Sequence, residues 1–148
     1  MKYRLEIDKE KCATAYGRDL HISPKHSREV CKELVGKKVE NAEKILKEVI
    51  DLKRAVKFTR YNLHLAHKRG IGPGWPPVKV SGALLSHLKE CVSNAEFKGL
   101  DSENLRVVHA SAYPGRKIKR YISRAQGKSS AHNEQTTNVE IVVEEGEA

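Results

Sequence analysis

The chain has 148 residues, carries 28 Lys and Arg against 19 Asp and Glu for a net charge of +9, and is 39% hydrophobic. That length suits one domain, but the apolar fraction lies below the usual ~45–50%, so part of the chain is expected not to pack around a core. No apolar run approaches the ~20 residues that span a bilayer, residues 1–8 lack the apolar stretch of a signal peptide, and Cys12, Cys31 and Cys91 fit no CxxC spacing, which points to a soluble intracellular protein with reduced thiols, while the net charge suggests a polyanionic partner, either nucleic acid or a membrane surface.

The first predicted helix starts at His21-Ile22-Ser23-Pro24, with Ser at the N-cap and Pro at the first helical position. Val30, Cys31, Leu34 and Val35 repeat at helical spacing, and Gly36 is placed to end the helix. Cys12 falls in a stretch read as irregular. A second helix runs from Val39 to about Lys53. Its stripe is Val39, Ala42, Leu46 and Val49, widened by Ile45 and Ile50. Glu40–Lys44 and Glu43–Lys47 are i,i+4 pairs on its solvent side.

Residues 55–79 form a long connection whose centre, Gly70 to Pro77, reads as neither helix nor sheet interior. Connections of this length are functional or disordered. This one holds Phe58, Tyr61 and Trp75 among Lys and Arg, a pattern that suits RNA, with rings on unpaired bases and cations on phosphates. A third helix follows from Val80 to about Lys98, with Val80, Leu84, Leu88, Cys91 and Ala95 as its stripe and Gly99 as its end.

Two strands are predicted after that, at residues 105–112 and 138–144. No helix lies between them to make a parallel crossover, so they pair antiparallel. Residues 113–137 then become a long hairpin that leaves the domain, reaching roughly 40 Å at ~3.3 Å per residue. The stretch Ile118–Thr136 holds no core stripe. It is expected to take its final shape on a polyanion. Tyr113 and Tyr121 lie within the hairpin, and two readings stay open for them: cross-strand packing and base stacking.

The charge is not evenly spread. Residues 104–133 carry Arg106, Arg116, Lys117, Lys119, Arg120, Arg124 and Lys128 and no acid. A second acid-free window, Leu52 to Lys89, holds eight more cations. Segments that repel themselves in this way fold poorly until an anion neutralises them. The five Glu of residues 134–148 read as a solvated strand end and terminus.

Little suggests catalysis. His64-x-x-His67 supplies two imidazoles, too few for a metal site. Gly70-x-Gly72-x-Gly74 does not open a helix after a strand, and Pro73, Pro76 and Pro77 lack the N–H donors a phosphate cradle needs. Cys31 and Cys91 lie on apolar stripes with no base beside them. The expectation is a protein without catalytic residues, metal, cofactor or small-molecule substrate, and with no membrane partner.

The parts together resemble the large-subunit ribosomal protein twenty-two family, whose members line the polypeptide exit tunnel. Four stretches carry the resemblance: Ile22-Ser23-Pro24-Lys25-His26-Ser27-Arg28-Glu29-Val30, Gly36 through Leu46, Ser93 through Asp101, and Arg124-Ala125-Gln126-Gly127-Lys128, which is similar to the family's hairpin tip. Phe58-Thr59-Arg60-Tyr61-Asn62 and the Gly/Trp/Pro stretch resemble the archaeal and eukaryotic branch, and the compact length suggests an archaeal source. The resemblance implies an α+β fold, with three helices packed on a small three-stranded antiparallel sheet and a long protruding β-hairpin. The third strand would come from Tyr3–Ile7 or from Arg18–Ile22.

The same resemblance implies a structural, non-enzymatic constituent of the large ribosomal subunit in the cytoplasm. Its partners would be large-subunit rRNA, neighbouring large-subunit proteins and the nascent chain. By position, Ser23, Lys25 and Arg28 would meet RNA at the first helix, and Arg116, Lys117, Lys119, Arg120 and Arg124 along the hairpin. Arg124, Ala125, Gln126, Gly127, Lys128, Ser129 and Ser130 would form the tunnel tip. The basic and aromatic pattern adds Arg18, Arg54, Lys57, Arg60, Tyr61, Lys68, Arg69, Trp75, Lys79, Tyr121 and Lys128 as RNA-binding candidates. One departure stands out: residues 129–137 lack the Arg and Lys usual in the family's returning arm and include Glu134. The competing class is a free-standing basic RNA-binding or chaperone module.

Overall fold

A computed structural model describes residues 11–146. The elements in chain order are β1 (Cys12–Leu20), α1 (Pro24–Leu34), α2 (Val39–Ile50), β2 (Val56–Lys57), β3 (His67–Lys68), β4 (Gly72–Trp75), α3 (Val78–Phe97), β5 (Leu105–Ile118), β6 (Tyr121–Ser123), β7 (Ser129–Ala131) and β8 (Glu134–Glu145). The fold is α+β. β8 is the middle strand of an antiparallel sheet in the order β1-β8-β5.

Side chains alternate across a strand, so Val139, Ile141 and Val143 of β8 share one face. All three are fully buried in a single apolar cluster with Val30, Leu34, Leu46, Val49, Leu84, Leu88 and Cys91 from the three helices. The stripes read from periodicity are the buried faces, except that Val35 lies past the end of α1 and is exposed and Ile50 is half-buried. α2 stops at Ile50, short of Lys53.

β1 supplies the third strand. It contains Arg18–Leu20, whereas His21 and Ile22 lie beyond its end. The other candidate, Tyr3–Ile7, lies outside the described residues. The expectation that Cys12 is in an irregular stretch is overturned: it is the buried first residue of β1.

Gly36 does more than end a helix. Its φ of +82° suits glycine, and its N–H donates to Val107 O at 2.7 Å while Val107 N–H donates to Lys37 O at 2.9 Å. The turn between α1 and α2 is thereby stitched to the start of β5.

The connection after α2 corrects the sequence reading. It is a three-stranded sheet with β4 in the middle, in the order β2-β4-β3. Pro73 sits inside β4 because these strands are two to four residues long and lose little ladder to a missing N–H. The Pro73 carbonyl still accepts from Phe58 N–H at 3.0 Å. Phe58 belongs to the interior and not to a stacking surface: it is 1% exposed and meets the His26 ring edge-on at 5.2 Å.

β5 and β8 pair from Leu105↔Glu145 out to Ile118↔Glu134, with irregularities at Val107/His109 and Pro114/Lys117. Beyond a break at Lys119–Arg120, β6 pairs with β7, and Arg124 N–H to Lys128 O at 2.8 Å closes the tip. Where the ribbon leaves the sheet, Asp19 Oδ1 accepts from Arg116 N–H at 3.0 Å and Thr136 Oγ1 at 2.9 Å. Asp19 N–H donates to Asn138 Oδ1 at 2.9 Å. Gly115 fits only as glycine, since a Cβ there would lie 2.6 Å from Thr136 Oγ1 and 2.8 Å from Asp19 Oδ1. Thr136 is buried at this junction, while the Ile118–Thr136 stretch adds nothing to the apolar core cluster.

Candidate nucleic-acid interface

The sequence-predicted residues fall into two groups. The first surrounds α1 and the small sheet. Arg54, Lys57, Lys68 and Arg69 converge on one open hollow of about 900 Å³, which Lys32 and Lys53 also line. Ser23, Trp75 and Lys79 border a second, mostly apolar hollow with His26, Leu52, Pro76, Pro77 and Val78. Trp75 is 51% exposed, its ring available beside Lys79. Lys25 and Arg28 stand exposed on α1, and the Arg60 guanidinium lies 5.6 Å from the Tyr61 ring centroid. Ser23 occupies the N-cap of α1 without a side-chain capping bond.

The second group runs along the ribbon. Arg116, Lys117, Lys119, Arg120, Tyr121, Arg124 and Lys128 are all exposed, as is every residue from Lys119 to Ser129. Gln126 (φ 59°) and Gly127 (φ 69°) make the turn. Ser129 and Ser130, expected at the tip, lie in β7 opposite Ser123 and Ile122.

Some predicted contacts already have protein partners. Arg54 donates to Glu33 Oε1 at 2.6 Å and lies 3.7 Å from Glu48. Arg18 faces Asp19 at 3.6 Å. Arg120 pairs with Glu134 at 3.1 Å, and the other Glu134 oxygen meets His21 Nδ1 at 2.9 Å. The His21 hydrogen bond and the nearby Arg120 charge hold the Glu134 carboxyl below the usual range. The departure at Glu134 is thus a clasp on the opposing arm.

The two tyrosines separate. Tyr113 is half-buried and donates its hydroxyl to Glu140 Oε2 at 2.6 Å, and burial with that carboxylate pushes the phenol pKa up. Tyr113 is therefore a packing residue. Tyr121 is 72% exposed. Glu140 is buried, so the C-terminal acids are not simply a solvated end.

Sequence reasoning missed Lys32, which completes an i, i+3, i+7 stripe with Lys25 and Arg28. It also missed Lys37, Lys38, Lys44 and Arg106, which border a further hollow with Asn41. The run Gly36-Lys37-Lys38 was the available signal; Arg106 reaches it only through the pairing of Lys38 with β5. Burial pushes the Cys31 thiol up to about 12 and the Cys91 thiol up to about 11. Both are neutral at physiological pH and unsuited to nucleophilic work. Among the described residues no three His, Cys, Asp or Glu side chains gather as a metal site, and no helix is long and apolar enough to cross a membrane.

A family model described as ribosomal protein L22p/L17e matches residues 15–144. The chain belongs to that family. The L22p/L17e match takes in all three helices, the small sheet and the full ribbon. The large ribosomal subunit protein uL22 of Methanocaldococcus jannaschii is 40% identical over 98% of this chain and 95% of its own length. Its counterpart in Archaeoglobus fulgidus is 44% identical over 93% of this chain and 90% of its own length. That of Thermofilum pendens is 42% identical over 99% and 97%. These family members are archaeal, in line with the resemblance of the Phe58–Asn62 segment.

Proposed function

We propose that this chain is a structural, non-enzymatic constituent of the large ribosomal subunit. In this reading it binds large-subunit rRNA through the α1 face, the small sheet and the ribbon. The tip from Arg124 to Ser130 lines the exit tunnel, where the nascent chain passes, and the rest of the surface meets neighbouring large-subunit proteins. The observation that carries the reading is the ribbon beyond Ile118. It is a folded β-structure with basic side chains, no acid before Glu134, and nothing of its own to bury. Protein that stays exposed over this length gains its contacts from a partner, and only a polyanion neutralises this charge. Arg forks onto phosphates and stacks on bases, whereas Lys acts as a point charge, so Arg124 contributes more than its Lys neighbours, as does Arg120 once RNA displaces Glu134.

Sedimentation tests this. Tagged protein should stay with large subunits through a high-salt wash, and Arg124→Glu should reduce incorporation more than Lys47→Glu, since Lys47 is already paired with Glu43 at 2.8 Å. Recovery in the free-protein fraction alone would overturn the reading and favour a free-standing RNA-binding module.

A further inference from the structure

Glu29 is an acid in the wrong place for a nucleic-acid surface. It sits on α1 between Arg28 and the basic hollow, and it is 3% exposed. Glutamates are almost never that buried unless their charge is met. None of the ion pairs among the described residues involves it. Its partners are instead the backbone thirty residues on. Oε2 accepts from Thr59 N–H at 3.1 Å and Thr59 Oγ1 at 3.0 Å, and Oε1 accepts from Arg60 N–H at 3.0 Å and Tyr61 N–H at 3.3 Å. Four donors occupy the two oxygens. Burial alone would raise this carboxyl, but the hydrogen bonds outweigh it and hold it below the ordinary glutamate value.

The neighbours extend the clamp. His26, Glu29 and Lys32 follow at three-residue spacing along α1, a shared helical face. His26 packs edge-on against Phe58 and meets Asn62 Nδ2 at 3.0 Å. Lys32 Nζ donates to Thr59 Oγ1 at 3.1 Å. The segment 58–62 is therefore tied at every residue to one helix, while Arg60 points outward over Tyr61.

We infer that Glu29 is a positioning residue that assembles the RNA-binding surface in advance, locking segment 58–62 onto α1 so that Lys25, Arg28, Lys32, Arg60 and Tyr61 form one fixed face before RNA arrives. This rests on the reading that the face binds rRNA. A segment ordered beforehand loses less entropy on binding, and because backbone N–H groups satisfy Glu29, its charge does not draw a cation away from the phosphates.

The test uses the full chain and a transcript of archaeal large-subunit rRNA. In the free wild-type protein the amides of Thr59, Arg60 and Tyr61 should resist hydrogen exchange. Glu29→Ala should raise their exchange about tenfold or more and weaken transcript binding about tenfold, because the segment must then be ordered on binding. The slope of log affinity against log salt should not change, since no phosphate contact is removed. Glu29→Gln guards against a folding failure: it keeps the volume, but its NH₂ faces two donors, so an intermediate loss is expected. Unprotected amides in the free wild type, or variant affinity equal to wild type despite lost protection, would overturn the inference. A wild-type protein that does not bind the transcript would overturn the functional reading instead.

Discussion

Replacing Phe58 by Ala separates a packing role from an RNA-stacking role at a residue whose sequence context suggests the second. The ring is 1% exposed, so its deletion removes a fully buried side chain next to His26 and leaves a cavity. Phe→Ala substitutions at such sites cost about 3–5 kcal/mol. For a chain of this size each kcal/mol lowers Tm by about 2–4 °C, which gives a fall of roughly 6–20 °C. Phe58 directly follows β2 and is not part of the main cluster, so part of the loss should appear as faster amide exchange across residues 56–75. Trp75→Ala is the control. Its half-exposed ring should cost about 0.5 kcal/mol or less in stability, while the loss of one stacked base weakens RNA binding by about 1–3 kcal/mol. Calorimetry and exchange on the free protein, with filter binding to rRNA, measure both. A Phe58→Ala protein with unchanged Tm and exchange but impaired binding would refute the placement of this ring in the interior.

Joining Ile118 to Glu134 through an Asn-Gly turn should leave the melt within about 2 °C of wild type, because residues 119–133 contribute nothing buried; removing 118–136 should destabilise the fold, because it also takes Thr136 from Asp19. Glu134→Gln should free Arg120, tighten RNA binding at low salt and steepen the log–log salt slope by up to about 0.9; weaker binding in a titration series would count against Arg120 as a phosphate contact. At pH 8 the pKa values of about 12 and about 11 for Cys31 and Cys91 leave a thiolate fraction of about 10⁻³ or less, so disulfide-exchange reagents should label them at least about a hundredfold more slowly in native than in unfolded protein. Glu29 has a depressed pKa in the fold, so its clamp is fully present above the ordinary glutamate value and is lost as pH falls through the lower folded one. Acid titration followed by NMR should release the Thr59–Tyr61 amides as pH falls through that lowered value. Lys32, Glu33, Glu48, Lys53, Arg54, Lys57, Lys68 and Arg69 face the same hollow, while burial and the bonds from Thr59, Arg60 and Tyr61 set the shift; release near neutral pH would contradict the assignment.

Much of this protein is local physics and was readable from the chain. Val39, Ala42, Leu46 and Val49, and Val80 through Ala95, mark helix faces because 3.6-residue periodicity and burial are one fact seen twice. Ser23-Pro24 and Gly36 mark ends through backbone preferences that need no partner. The acid-free ribbon and the exposed Trp75 were legible because charge and its absence are properties of composition. What only the tertiary structure decided depends on residues far apart in sequence. Glu29 reads as one more solvated helix charge until residues thirty positions on bring three N–H groups to it. Phe58 reads as one more aromatic among cations until β4 and His26 close over it. Asp19, Gly115 and Thr136 look unremarkable apart and become the hinge of the ribbon together. The net charge of +9 set the kind of partner; which cations stay available to it was decided by the carboxylates the fold placed beside Arg54 and Arg120 and withdrew from solvent at Glu29.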